Sequence, residues 1–110
     1  MVLIIVNMIA EFTIVPLDRG ESLSKYVSKV LDLVDESGLE YVLTPMGTIV
    51  EGDWDDVMEL IRSCHMEMRK RSRRVSTSIK VDDREGAEGR ITGKIESVEK
   101  QLGRKVKKLS

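Results

Sequence analysis

Two kinds of apolar spacing alternate along this chain, and their order is the strongest restriction on its fold. Residues 8–15 alternate between apolar and more polar side chains, which is the period of a half-buried strand. Pro16 has no N–H to donate to a strand ladder and should end that strand. From the candidate cap Ser22, apolar residues recur at intervals of three and four, which predicts a helix that Gly38 ends.

The second half of the chain repeats this alternation of spacings. Residues 39–43 and 48–51 each predict a strand, and the turn between them makes an antiparallel pair. Asp53 is the candidate cap of a second helix. The apolar stripe predicted for that helix consists of Trp54, Val57, Met58, Ile61, His65 and Met68. A fourth strand over residues 75–81 and a third helix over residues 91–102 follow.

The resulting order is strand, helix, strand, strand, helix, strand, helix. Two split βαβ units in this order give a ferredoxin-like α+β fold: a four-stranded antiparallel sheet with two helices on one face, plus a C-terminal helix. The length predicts one domain over residues 1–110. Residues 1–7 are an N-terminal extension that either lengthens the first strand or precedes a translation start at Met8, and we expect residues 104–110 to be a frayed basic tail.

The charge balance and the few aromatic residues argue against a nucleic-acid partner. The formal net charge is -1, without the basic excess of nucleic-acid-binding proteins, and 4% aromatic residues are too few for base stacking. A single cysteine, Cys64, excludes an internal disulfide and a thiolate metal cluster, so we expect no metal or cofactor and a cytoplasmic location. The apolar start is too short to span a bilayer, and we expect no membrane partner.

Four charged side chains within five residues make the end of the fourth strand a candidate site. These are Lys80, Asp82, Asp83 and Arg84. One carboxylate could accept a hydrogen bond from an amino group of a ligand while Lys80 or Arg84 holds an anionic group. An ordinary solvated turn explains the same residues.

The turn between the second and third strands is a second candidate site. Thr44 and Thr48 flank it with hydroxyl groups, and Gly47 permits close approach of the backbone. Met46 offers a flexible apolar surface to a flat ring. The alternative is a plain hairpin turn.

No arrangement in the sequence predicts catalysis. His65 is the only histidine and reads as a packed residue or as a polar group of a ligand pocket or subunit interface. Asp82 and Asp83 are adjacent, and their side chains diverge on a strand. There is no Gly-rich phosphate loop before a helix, and no nucleophile has a nearby base. We therefore expect a binding protein and not an enzyme.

Five segments in this order resemble the thiamine-binding protein family. They are residues 9–16, with the sequence IAEFTIVP, residues 22–27 (SLSKYV), residues 41–48 (YVLTPMGT), His65, and residues 79–84 (IKVDDR). The resemblance implies a ferredoxin-like fold, assembly into homodimers and homotetramers, and binding of thiamine or its hydroxymethylpyrimidine part without catalysis.

The candidate residues are compatible with such a ligand. Glu11, Asp82 or Asp83 could face the cationic thiazolium. Thr44 and Thr48 could form hydrogen bonds with the edge of the pyrimidine ring. Met46, Tyr41 or a residue of another subunit would cover the ring. The alternative is a structural or regulatory oligomerisation module with a different ligand or none.

Overall fold

The structure, a computed structural model, describes residues 7–18, 24–86 and 89–108. Its elements are β1 (Met8–Pro16), α1 (Ser24–Glu36), β2 (Glu40–Thr44), β3 (Gly47–Gly52), α2 (Trp54–Arg69), β4 (Val75–Asp83) and α3 (Arg90–Leu102). This is the predicted order of strands and helices. The candidate cap Ser22 and residues 1–6 of the predicted extension lie outside the described residues.

The four strands form one antiparallel sheet in the order β2-β3-β1-β4. In this order β1 and β2 are not adjacent, and neither are β3 and β4, so α1 and α2 each cross over one strand of the sheet. The predicted ferredoxin-like fold is therefore confirmed. The register places Glu11 of β1 opposite Ile49 of β3 and opposite Lys80 of β4.

One face of the sheet forms the core with α1 and α2. The alternation predicted for β1 is confirmed, because Met8, Ala10 and Phe12 are buried while Glu11 is exposed. Apolar side chains of both helices complete this core, and the buried ones are Val30, Val34, Val57, Leu60, Ile61, Cys64 and Met68. The opposite face carries Glu11 and its cross-strand neighbours, and we call it the open face.

The cap of α2 is confirmed, but part of its predicted stripe is wrong. The carboxylate of Asp53 accepts a hydrogen bond from the Asp56 backbone N–H at 2.7 Å. Trp54 is 53% exposed, whereas Leu60 and Cys64, which the predicted stripe omits, are buried. Apolar residues lie on both flanks of this helix, so the spacing alone allows two stripes. Packing against β1 and α1 selects the one centred between Val57 and Cys64.

Part of the open face is covered by α3. Glu51 of β3 is only 6% exposed, and its Oε1 accepts hydrogen bonds from the backbone N–H groups of Arg90 at 2.7 Å and Ile91 at 3.1 Å. The first N–H groups of a helix have no partner within the helix. A strand carboxylate therefore caps α3 and fixes its N-terminus to the sheet.

The segment after α3 folds back onto that helix. Glu99 accepts hydrogen bonds from the backbone N–H of Val106 at 2.8 Å and from Nζ of Lys108 at 2.6 Å. The predicted tail is therefore held against α3 as far as Lys108. Within the described ranges, no helix has both the length and the apolar character needed to cross a membrane.

Candidate functional site

The predicted site residues lie in three separate places along the sheet. The turn residues Thr44–Thr48 lie at one end, where β3 begins beside Phe12. Glu11 and Lys80 face each other near the middle of the open face. Asp82–Arg84 lie at the other end, where β4 leaves the sheet.

A cleft of about 210 Å³ lies at the turn end of the sheet, and we call it the hairpin cleft. It is bounded by β1, α1 and the β2–β3 turn. Its described lining residues carry no titratable side chain; they are Phe12, Thr13, Ile14, Val15, Val27, Val30, Leu31 and residues 43–48. The cleft therefore includes the predicted site residues Thr44, Met46, Gly47 and Thr48 and is mostly apolar.

One wall of the hairpin cleft is an unpaired strand edge. The pairing of β3 with β1 ends at Phe12, opposite Thr48, whereas β4 pairs with β1 as far as Pro16. The N–H and C=O groups of alternate strand residues point to the same edge. The N–H of Leu17 donates to the carbonyl of Arg74, so the odd-numbered residues of β1 bond to β4. Beyond Phe12, the N–H and C=O groups of Ile14 therefore point to the edge of β1 that faces the cleft.

The side chain of Thr44 holds the turn together. Its hydroxyl donates to the carbonyl of Gly47 at 3.0 Å and accepts from the N–H groups of Met46 at 3.2 Å and Gly47 at 3.1 Å. A hydroxyl has one donor and two acceptor positions, so all three are used. Thr44 thus shapes the cleft and has no hydrogen bond left for a ligand.

The other turn residues take different positions around the cleft. Thr48 is 5% exposed and lies on the core side, whereas Met46 is 79% exposed at the mouth. A Cβ on Gly47 would lie 2.9 Å from Cγ2 of Thr13 and 3.0 Å from the carbonyl oxygen of Phe12. The absence of a side chain at Gly47 therefore lets the turn lie close against β1.

Glu11 lies beside the hairpin cleft on the open face. Its Cγ would be 3.5 Å from a Cβ on Gly47, and its carboxylate forms no ion pair with any described residue. Together with Thr13, Ser78 and Lys80 it borders a shallow groove of about 120 Å³. An exposed carboxylate at this position can face the cationic part of a ligand that extends out of the cleft.

Asp82 anchors α3 to the sheet, and the sequence did not predict this contact. Its Oδ2 accepts hydrogen bonds from Nη2 of Arg90 at 2.9 Å and from Nζ of Lys94 at 2.6 Å. Both bonds lower the pKa of Asp82, from 3.8 to about 2, and the bond to Arg90 has the larger effect. The carboxylate proposed for a ligand amine is thus occupied by two cations of the same chain.

Asp83 and Arg84 are exposed and lie away from the hairpin cleft. The side chains of Asp82 and Asp83 diverge as predicted, because these residues are opposite Ile9 and Met8, which point to opposite faces. Arg84 lies just beyond β4, near the N-terminal half of α3.

The predicted site residues His65 and Tyr41 lie within the fold and not in the hairpin cleft. Nδ1 of His65 is 2.6 Å from the hydroxyl oxygen of Thr77, which joins α2 to β4 and agrees with a half-buried packed histidine. The hydroxyl of Tyr41 donates to Oδ1 of Asp35 at 3.1 Å, and this bond raises the pKa of Tyr41 above 10.0. Both side chains are on the helix-covered side of the sheet, since Tyr41 pairs with buried Val50.

A second cleft, of about 560 Å³, lies between α3 and the open face, and Thr44 is the one predicted site residue among its described lining residues. Apolar side chains form much of it, including Val42 and Ile49 of the sheet and Ile91 and Ile95 of α3. The spacing of these isoleucines predicts a helix but does not show which face it covers. In the described parts of the chain, no group of three or more His, Cys, Asp or Glu residues could hold a metal ion.

Comparisons with known proteins agree on one family. A family model described as "Thiamine-binding protein" matches residues 10–99. A UPF0045 protein of Methanocaldococcus jannaschii is 33% identical over 92 residues, which are 84% of this chain and 92% of that protein. A UPF0045 protein of Bacillus subtilis is 37% identical over 100 residues, 86% of this chain and 96% of that protein.

A solved structure gives the same result for the fold. The crystal structure of the hypothetical protein from Methanocaldococcus jannaschii superposes with a TM-score of 0.78 at 33% sequence identity. The match covers 84% of this chain and 95% of that one.

Asp82→Asn should loosen α3 while the core strands stay intact, because the amide keeps the shape but loses the charge that holds Arg90 and Lys94. A carboxylate with a lowered pKa stabilises the folded state above its unfolded pKa, and this contribution disappears as the pH falls through the folded pKa. Amides of α3 should therefore exchange faster in the variant near neutral pH. Parent and variant should converge between pH 3.8 and about 2.

Hydrogen exchange followed by mass spectrometry measures this difference. Asp83→Asn is the matched control, because it removes a charge from the next residue of β4 without touching α3. Equal protection of α3 in the parent and in Asp82→Asn near neutral pH would contradict the assigned role.

Proposed function

This chain belongs to the thiamine-binding protein family, and on that premise we propose that it binds thiamine, or its hydroxymethylpyrimidine part, without converting it. The observation that carries the proposal is the free edge of β1 inside the apolar hairpin cleft. Three of the five segments that resemble the family meet there. They supply all of its described lining except Val30 and Leu31.

The chemistry of an aminopyrimidine matches a strand edge. Its amino group is a donor beside a ring nitrogen that accepts, and both lie in the plane of the ring. A strand edge offers a carbonyl acceptor and an N–H donor in one plane, as it does when it binds an added strand. The N–H and C=O groups of Ile14 supply these groups, while Val27, Leu31 and Met46 would contact the flat faces of the ring.

The size of the hairpin cleft favours one ring over two. Pockets that bury drug-sized ligands have volumes of about 300–1,000 Å³. The volume of about 210 Å³ suits a single substituted ring, so the thiazolium of thiamine would lie outside the cleft. Glu11 stands beside Gly47 at this point, and its carboxylate would face the cationic ring.

The side chains around the cleft support binding without catalysis. The described lining contains no group that could act as a general acid or base at neutral pH. The thiol of Cys64 is buried, and burial raises its pKa to about 11, so it is not a reactive nucleophile. A reduced, buried thiol is also consistent with the cytoplasmic location that we propose.

Two substitutions test the hairpin cleft and the role of Glu11 separately. Val27→Phe should fill the cleft and weaken both thiamine and hydroxymethylpyrimidine, because Val27 lines it and is 39% exposed. Glu11→Gln should weaken thiamine about tenfold, the size of one charge-assisted contact, and leave the neutral pyrimidine unaffected. Calorimetric titration measures both affinities, and mass spectrometry of the recovered ligand should show no product.

Two matched variants serve as controls for these titrations. Lys29→Phe adds the same ring to an exposed position of α1, and Asp83→Asn removes a carboxylate far from the cleft. Both should bind like the parent. Full affinity of Val27→Phe for both ligands would refute the hairpin cleft as the site, and conversion of the ligand would refute binding without turnover.

We also propose that the protein works as a homodimer or homotetramer. β4 is an edge strand whose Ile79 and Val81 are 40% and 36% exposed, and open strand edges readily pair with another chain. The cleft of one protomer also leaves its ligand partly open, so a neighbouring subunit could cover it. Light scattering at micromolar concentration should give the mass of two or four chains, and a mass of 12.5 kDa would contradict this prediction.

An oligomerisation module with a different ligand or none is the second candidate function. Exposed apolar residues on α3 favour it, since Val98 is 53% and Leu102 49% exposed. This alternative predicts the same assembly but no heat of binding with thiamine or hydroxymethylpyrimidine.

A further inference from the structure

A positively charged cleft lies at the end of the sheet opposite the hairpin cleft. It measures about 610 Å³, and its walls are the segment after β4 and the outer side of α3. We call it the basic cleft. It is lined by Arg84, Glu85, Gly86, Arg90, Gly93, Lys94 and Ser97.

Among the residues that the structure describes, carboxylates neutralise the cations of the basic cleft only in part. Arg90 and Lys94 share the single carboxylate of Asp82, which both contact through Oδ2. Arg84 forms no ion pair with any described residue, and Glu85 is the one carboxylate among the described lining residues. A concave surface with excess positive charge concentrates anions from solution.

We propose that the basic cleft binds a small phosphorylated anion. An arginine guanidinium can donate two parallel hydrogen bonds to a phosphate, and a lysine adds a point charge. The hydroxyl of Ser97 is a further donor on the same wall. Gly86 and Gly93 leave room for the ligand, since a Cβ on either would have no atom within 4 Å.

The basic cleft is distinct from the hairpin cleft. Along β1, Asp82 is opposite Ile9, whereas the unpaired edge begins at Thr13. At a rise of about 3.3 Å per residue these positions are roughly 13 Å apart, before the lateral offset of the two clefts is added. The anion site therefore does not depend on the proposed function, and its test is independent of thiamine.

Calorimetric titration with sodium pyrophosphate, at ionic strength held constant with sodium chloride, tests this site. The parent should show saturable binding with one site per chain. Arg84→Gln should weaken it about tenfold or more, because one charge-assisted contact is lost. Arg62→Gln, which removes a cation from the exposed side of α2, is the matched control and should bind like the parent.

Each other outcome overturns the proposal. Absence of saturable binding in the parent would mean that the cleft holds no such anion. Equal weakening in Arg84→Gln and Arg62→Gln would mean that only the overall charge matters. Unchanged affinity in Arg84→Gln, with a melting temperature equal to that of the parent, would place the anion elsewhere. A parallel titration with inorganic phosphate distinguishes a site for one phosphoryl group from a site for two.

Discussion

The unequal pairing of the two edges of β1 is the constraint on which the rest of the structure depends. One edge is paired with β4 as far as Pro16, while β3 stops pairing at Phe12 because the chain turns at Thr44–Gly47. Gly47 brings the turn against β1, and the hydroxyl of Thr44 fixes its shape. A strand edge that would otherwise complete a ladder is thereby left open beside the apolar side chains of α1.

The attachment of α3 differs in kind from that of α1 and α2. The first two helices bury apolar residues in the core, whereas none of the described residues of α3 is buried. Polar contacts at its N-terminus, from Glu51 and Asp82, hold it on the open face. Elements with few buried apolar contacts open at low free energy. We therefore expect α3 to be the first element to leave the sheet, and the cleft beneath it to change most in shape.

The sequence predicted the fold well because the fold follows from apolar periodicity. The alternation at residues 8–15 and the order of elements define the sheet, and Asp53 caps α2 as expected. The candidate site was predicted only in part. The segment around Thr44–Thr48 does border a cleft, but the β1 edge opposite it depends on where β3 stops pairing, which no local pattern reveals.

The role of Asp82 was missed for a similar reason. Its partners Arg90 and Lys94 are four residues apart on a later helix, and the face of the sheet on which that helix lies is a tertiary property. The buried acid Glu51, in a strand with apolar neighbours, was the available signal, because a carboxylate is seldom buried without a partner. A carboxylate at this position suggests a helix cap or an ion pair, but it does not show that α3 is the partner.

The most direct test of ligand binding in the hairpin cleft is an NMR titration of the parent protein with hydroxymethylpyrimidine, followed through the backbone amide signals. Binding in this cleft predicts that the largest shifts fall on residues 13–15 and 44–48, which form two of its walls. Shifts centred on Ile91 and Ile95, with residues 13–15 unchanged, would place the ligand under α3 and contradict binding in the hairpin cleft.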